Sequence, residues 1–386
     1  MLRVVDLFCG AGGMSLGLKN AGFHLIQAYD LWEPAVSTYR ENVGAHIWKH
    51  DLKDILGVGS MLASLQPDMI AGGPPCQDYT IAGPRVEGEN ASMTKAFAML
   101  VAIARPKWFL MENVEQARKS KAWAEARPML VRAGYGLTEC KLDASYYGVP
   151  QARKRLFVIG RIGERDGFLT STLIAARANK QTVMSDVFGT DCPPMFISPR
   201  FNRNKAVWQS SEPAPTLIAS SWRPIPPNRV VPEGTTAPTL AQMGQIQGFP
   251  ADWKWRGGSK HECMKLIANA VPAPLAEAIG KVILARDAGE SIPAVQGNFA
   301  QWLMQRGQTN QVARNTKSQL IKAWRLLGGR TFRDVRLEIL ALEETAEFDT
   351  LDRKVRSNVR AAVRLYAEFL EIGMQRERVA KLDLAA

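Results

Sequence analysis

Through about residue 160, short apolar runs alternate with longer stretches whose apolar positions recur every three to four residues. Runs at residues 3–8, 24–30, 45–51, 68–72, 107–112, 137–142 and 155–162 have the length and composition of strands. They recur with helical stretches between them, which predicts an α/β fold with a mostly parallel sheet. Such sheets bind ligands at the carboxyl ends of their strands, so the residues closing each run are where chemistry is expected.

Beyond residue 162 the pattern changes. Ten of the 22 prolines lie in 193–238, which argues against regular helices or a central sheet there. An amphipathic helix is expected over 274–284, then a linker over 285–298 containing Gly289, Pro293 and Gly297. Helical spacing returns at Leu320, Ile321, Trp324 and Leu327, and again at Val355, Val359, Val363, Tyr366 and Leu370. Four segments follow: a sheet domain over 1–162, a small irregular basic domain over 163–262, a returning helix over 263–286 that completes the first domain, and a helical extension over 287–386.

Composition adds a partner. The 386 residues are 46% hydrophobic and 22% charged, which permits a sizeable core. Net charge is +12, and residues 151–262 alone hold 15 Lys/Arg against 8 Asp/Glu. Charge clustered in this way is the footprint of a polyanion-binding surface. In the Pro-rich stretch, Arg200, Arg203, Lys205, Arg223 and Arg229 are interleaved with Trp208 and Trp222, which suits a loop-rich module on a duplex. The five cysteines form no C-x-x-C pair and there are only four histidines, so no metal site is expected and free thiols in a reducing cytoplasm are. The chain starts directly in a strand-like run without a signal-peptide pattern, and its apolar runs are short for a membrane span.

The candidate chemistry lies at the strand ends. The first run leads into Asp6-Leu7-Phe8-Cys9-Gly10-Ala11-Gly12-Gly13, a tight turn opening a helix. It lacks the G-x-G-x-x-G spacing, which disfavours NAD and FAD. The second and third runs end at Asp30 and Asp51, where carboxylates can accept from ribose hydroxyls or simply cap turns. The fourth ends in Gly72-Gly73-Pro74-Pro75-Cys76-Gln77, a stiff loop presenting one thiol. The fifth ends at Glu112-Asn113, where a shielded carboxyl would hold its proton more tightly and could donate it. Later, Arg153 and Arg155 alternate along an extended segment, so both guanidiniums would share one face and could hold a carbonyl oxygen or a phosphate.

Six stretches in order carry a resemblance: Asp6-Leu7-Phe8-Cys9-Gly10-x-Gly12-Gly13, Gly73-Pro74-Pro75-Cys76-Gln77, Glu112-Asn113-Val114, Gln151-x-Arg153-x-Arg155, Gln247-Gly248-Phe249-Pro250 and Ile267-x-Asn269-x-Val271-Pro272. Together, over about residues 3–284, they resemble the cytosine-C5 DNA methyltransferases, especially those of bacterial restriction–modification systems. The resemblance implies a class I S-adenosylmethionine methyltransferase sheet with a small target-recognition domain, and S-adenosylmethionine as cofactor. Cys76 would add to C6 of a flipped cytosine and make C5 nucleophilic. Glu112 would contact N3 and the exocyclic amine, Arg155 would hold the base carbonyl, and Arg153 would support the loop. Phe8, Gly10, Gly12, Asp30, Leu31, Asp51, Leu52 and Asn269 would line the cofactor site. Gln77, Thr216 and the five basic residues of the Pro-rich stretch would contact double-stranded DNA. A monomer is expected, with any cognate restriction endonuclease acting separately. The Gln245-Ile246-Gln247 triplet and Ala270 depart from the usual family pattern without removing a reactive group. Rival readings are the same chemistry on tRNA, and a catalytically silent DNA-binding regulator. Adenine-N6 or cytosine-N4 transfer is disfavoured, since those enzymes need no thiol.

Overall fold

The computed structural model describes residues 1–75, 89–197, 207–219, 232–289, 292–329, 332, 334–343 and 345–383. Its centre is a seven-stranded sheet in the order β3-β2-β1-β4-β5-β8-β6. The strands are β1 Arg3–Leu7, β2 His24–Asp30, β3 Ile47–Lys49, β4 Met69–Gly72, β5 Trp108–Asn113, β6 Tyr135–Asp143 and β8 Lys154–Ile162, with a two-residue β7, Gln151–Ala152, just before β8. All neighbouring pairs are parallel except β5 with β8 and β6 with β8, so β8 alone is reversed. The alternation of runs and helices thus gives the α/β fold it predicts. β3 is shorter than its apolar run because it is an edge strand paired only to β2, with Trp48 and Lys49 facing solvent.

Helices α1 Gly13–Ala21, α2 Glu33–Asn42, α3 Ile55–Leu65, α4 Glu89–Ala104 and α5 Lys121–Arg132 connect the strands. β4 and β5 are apolar through most of their length, as strands covered on both faces must be. Val58 and Leu62 of α3, Phe97 and Val101 of α4, and Trp123 and Leu130 of α5 pack on Val5, Ile70, Phe109 and Val158 in one large core. The chain runs outward from β1 to β2 and β3, then returns to β4 on the other side of β1. The carboxyl ends of β1 and β4 therefore flank the switch point where such sheets bind ligands.

Past β8, short helices α6 Thr170–Ala175, α7 Met184–Phe188 and α8 Leu240–Ile246 alternate with small strands β9 Met195–Ile197, β10 Val207–Gln209, β11 Ala214–Pro215 and β12 Thr235–Thr236. Met184, Phe196, Trp208, Leu217, Met243 and Ile246 share an apolar cluster with Met264 and Ile267 of α9, Lys260–Asn269. Then come α10 Ala273–Asp287, α11 Phe299–Gln305, α12 Asn310–Leu326, α13 Val335–Glu343, α14 Ala346–Asp349 and α15 Arg353–Asp383. The span Lys260–Asp287 is apolar enough to cross a membrane by length and composition, but 72% of its most apolar stretch is buried, as in a core element.

By compactness the chain forms two units. One comprises Met1–Ile162 and Leu173–Lys281, the other Gly163–Thr172 and Val282–Ala386. The second has its own core around Phe299, Leu320, Trp324, Phe348, Val359 and Tyr366. Among its described residues, two ion pairs are largely buried. Glu164 receives Arg286 in a bidentate pair at 3.1 Å, both side chains almost wholly buried. Glu338 accepts from Trp324 Nε1 and pairs with Arg165, which also donates to the Phe332 carbonyl.

Candidate active site

The turn after β1 is strained in a way that exposes it. Phe8 has φ 56°, a left-handed conformation uncommon for a residue with a side chain. Gly10 follows at φ 55°, and a Cβ there would meet nothing within 4 Å, so an open backbone face lies at the sheet edge. Gly13, which starts α1, is needed for another reason: a Cβ on it would sit 2.0 Å from the Val271 carbonyl oxygen. The chain near residue 271 thus lies against the first turn, although some 258 residues separate them.

Asp30, at the end of β2, organises this turn. Its two oxygens accept from the Gly10 N–H at 2.9 Å and the Trp32 N–H at 2.8 Å, and burial holds its carboxyl above the usual range. Lone pairs remain for a further donor. Leu31 beside it is 57% exposed. Asp51 accepts from the Lys53 N–H at 3.0 Å in an exposed turn. Asn269 ends α9 with an exposed side chain. The side chain of Leu52 is instead packed in the large core, so any part it plays at the strand end falls to its backbone. An open Gly10 face, exposed Leu31 and Asn269, and carboxylates closing adjacent strands fit a nucleoside-bearing cofactor.

A buried group that the motif contains but the sequence did not single out lies beneath. Asp6 accepts from Ser15 Oγ at 2.6 Å, and Ser15 accepts from Tyr39 OH at 3.0 Å, while Asp6 Oδ1 has no partner. Burial pushes the Asp6 carboxyl up to about 7. The folded state then binds its proton more tightly than the unfolded chain does. That stabilisation is complete below the unfolded value and is lost as pH rises toward 7. Asp6→Asn keeps a polar partner for Ser15 without the titration. Between pH 5.5 and 7 the wild type should lose about 1.5 kcal/mol relative to Asp6→Asn, since the slope of about 1.4 kcal/mol per unit halves as pH reaches the folded pKa. Denaturant unfolding of both proteins at the two pH values measures this difference.

The second half of the site lies at the ends of β4 and β5. Glu112 is buried, and burial raises its pKa against the opposing pull of Arg155 and Arg153. Its Oε1 lies 3.3 Å from Arg155 Nε. The loop leaving β4 passes directly over it: a Cβ on Gly73 would be 3.4 Å from Glu112 Oε2, and Asn113 Nδ2 donates to the Pro74 carbonyl at 3.4 Å. The backbone that enters Cys76 is therefore anchored beside a shielded carboxyl. Cys76 and Gln77 themselves lie outside the described residues, as do Arg200, Arg203, Lys205, Arg223 and Arg229.

Arg153 and Arg155 do not form the pair that alternation predicts. Arg153 sits between β7 and β8, where the extended segment is interrupted. Its buried guanidinium donates to the carbonyls of Leu217, Ala268 and Ala270 at 3.4, 2.8 and 3.3 Å. Only Arg155 turns to Glu112. Gln151 and Gln247, both fully buried, extend the clamp. Gln151 Nε2 donates to Gln247 Oε1 at 2.7 Å, Gln247 Nε2 donates to the Ala270 carbonyl at 2.5 Å, and Gln151 Oε1 accepts from the Leu217 N–H. β11 pairs with β7, and the Thr216 hydroxyl, expected on DNA, donates to the Ala152 carbonyl at 2.7 Å. The Thr216-Leu217 doublet is thereby tied to β7, just ahead of the strand that carries Arg155.

The sequence model for the C-5 cytosine-specific DNA methylases matches residues 2–209 and 202–285, nearly three quarters of the chain. The chain belongs to this family. It is a DNA cytosine methyltransferase. The type II methyltransferase M.HgiDI of Herpetosiphon aurantiacus is 40% identical over 71% of this chain and 92% of that protein. M.HindV of Haemophilus influenzae is 36% identical over 73% and 96% respectively. Dnmt2 of S. pombe shares the fold at a TM-score of 0.54 and 17% identity, over 74% of this chain and 97% of that one. The two type II relatives are matched almost end to end, while more than a quarter of this methyltransferase lies outside either match.

Proposed function

We propose that this methyltransferase works through Cys76, Glu112 and Arg155 on a cytosine turned out of duplex DNA. The observation that carries the reading is Glu112, buried, raised in pKa and paired to Arg155 directly under the Gly73–Pro74 backbone. Cytosine C5 is a poor nucleophile. Cys76 thiolate adds to C6, and the ring electrons become available at C5. Glu112, whose burial favours its protonated form, stabilises charge at N3 and the exocyclic amine, while Arg155 holds the base carbonyl. Arg153 is a positioning residue that fixes the loop against residues 217 and 268–270. S-adenosylmethionine, when bound, supplies an electrophilic methyl group. Phe8, Gly10, Gly12, Asp30, Leu31, Asp51, Asn269 and the backbone of Leu52 would hold it. Water takes the C5 proton, the C–H electron pair re-forms the C5–C6 double bond, and the Cys76 thiolate leaves C6, which frees the enzyme.

Target choice would lie in residues 163–262, with Gln77, Arg200, Arg203, Lys205, Arg223 and Arg229 as DNA contacts. Thr216 acts through β7, which leads into the Arg155 strand, rather than as a free donor. The relatives' type II naming supports a cytoplasmic enzyme with a separate endonuclease of the same specificity, and a monomer suffices for this chemistry. Bisulfite sequencing of DNA from a host expressing the chain is expected to show full protection of one cytosine in one short sequence. Unprotected DNA, with methyl transfer to tRNA alone, would overturn the duplex reading.

A further inference from the structure

We propose that the outer face of α12 is a second, sequence-independent docking surface for duplex DNA, read through its phosphates. The inference rests on DNA being the substrate of this methyltransferase, and goes beyond the catalytic half to the helical unit outside the family match.

α12 is fixed by burial of Ala313, Leu320, Ala323 and Trp324, with Thr309 capping its start by accepting from the Val312 N–H. Its opposite side presents Arg314, Lys317, Lys322 and Arg325, all exposed. At 3.6 residues per turn these four fall within less than half of the helix circumference. Among the described residues, none of the four has a carboxylate within ion-pair distance. Three other cations of this unit do find carboxylates: Arg306 pairs with Glu368 at 2.6 Å, Arg360 with Glu343 at 2.6 Å, and Arg356 with Asp349 at 3.4 Å.

The segregation is written in the sequence. From Glu290 to Asp334 no Asp or Glu intervenes, while seven Lys/Arg do. Residues 287–386 carry 16 Lys/Arg against 13 Asp/Glu, so the unit as a whole is close to balanced and the bare positive face is local. Two like-charged pairs at i,i+3, Arg314 with Lys317 and Lys322 with Arg325, destabilise the helix slightly and call for an external counter-charge. Arg314 to Arg325 spans about 16 Å at about 1.5 Å per residue. A duplex carries one charge per about 1.7 Å of axis, so such a row matches a run of phosphates and exceeds any single small anion. Serine and glutamine beside the cations, Ser318 and Gln311, are further phosphate donors.

The test uses the full chain and a fluorescent 30-base-pair duplex lacking any target site, with affinity measured by anisotropy from 50 to 300 mM salt. The fourfold variant R314Q/K317Q/K322Q/R325Q is expected to bind at least tenfold more weakly at low salt. Its slope of log affinity against log salt should be shallower by about three to four, at about 0.9 for each phosphate no longer neutralised. The swap R314K/K317R/K322R/R325K should keep the wild-type slope. Methyl transfer at saturating target DNA should be unchanged, since these residues lie outside the catalytic machinery. If the fourfold variant does not fold, Lys317→Gln and Lys322→Gln singly should each reduce the slope by about one. An unchanged slope and affinity would overturn the proposal and leave the face to an acidic protein partner. Failure of the methyltransferase reading would show separately, as wild-type protein that binds duplexes but methylates none.

Discussion

Cys76→Ala is expected to reduce methyl transfer by at least about 10⁴-fold, equivalent to about 5.5 kcal/mol of transition-state stabilisation, while DNA binding persists. The size follows from the chemistry: without thiolate addition at C6 the ring offers C5 as a carbon with little nucleophilic character. The loop geometry is consistent with a fixed nucleophile. Gly73 lies against Glu112 and Pro74 is bonded to Asn113, so the residues leading to Cys76 are held beside the carboxyl that answers it. The same residue predicts a trap. On a duplex bearing 5-fluorocytosine at the target, fluorine cannot leave C5 as a proton does, and elimination of Cys76 stalls. The wild type should then form a denaturation-resistant adduct with a mass equal to protein plus methylated duplex strand, and Cys76→Ser should form none. A proven target that yields no adduct with the wild type, or an adduct that survives in Cys76→Ser, would refute the assignment.

The sheet was legible because its central strands are buried on both faces and therefore read as unbroken apolar runs, such as Met69-Ile70-Ala71 and Phe109-Leu110-Met111. β3 was overdrawn because an edge strand has one partner and its apolar residues need not be paired. The reversal of β8 has no periodic signature; only the short spacing between β6 and β8 hints at an antiparallel pair. At the site, the placement of Asp30 and Glu112 at strand ends was readable from the apolar runs they close. The two arginines were not, since alternation presumes a continuous strand and Arg153 sits at a break between two. The Gln151–Gln247 bond joins residues 96 apart, and no local pattern encodes it. Asp6 was in plain view within its motif. That it is buried with an unpartnered oxygen follows only from α1 and α2 closing over it through Ser15 and Tyr39.

Glu112→Gln should lower kcat by about 10²- to 10⁴-fold, the range for loss of one positioned proton donor, with Kd for target DNA changed little. Its pH dependence is more diagnostic. Burial raises the Glu112 pKa above the ordinary carboxylate range, and Arg155 and Arg153 pull it back down. The protonated form is the donor to the base. Wild-type kcat should therefore fall on the alkaline side as pH passes through this raised pKa, and Glu112→Gln, which does not titrate, should lose that limb. Arg155→Met removes the nearer cation, 3.3 Å from Oε1, and with it the main force favouring the ionised form. The alkaline limb should then move to higher pH even as kcat drops because the base carbonyl is no longer held. Stability follows the same sign. A raised folded pKa makes the protonation gain complete below the unfolded value and lost as pH climbs through the folded one, so the wild type should become less stable with rising pH relative to Glu112→Gln. An alkaline limb that persists in Glu112→Gln, or that moves to lower pH in Arg155→Met, would assign the proton to another group.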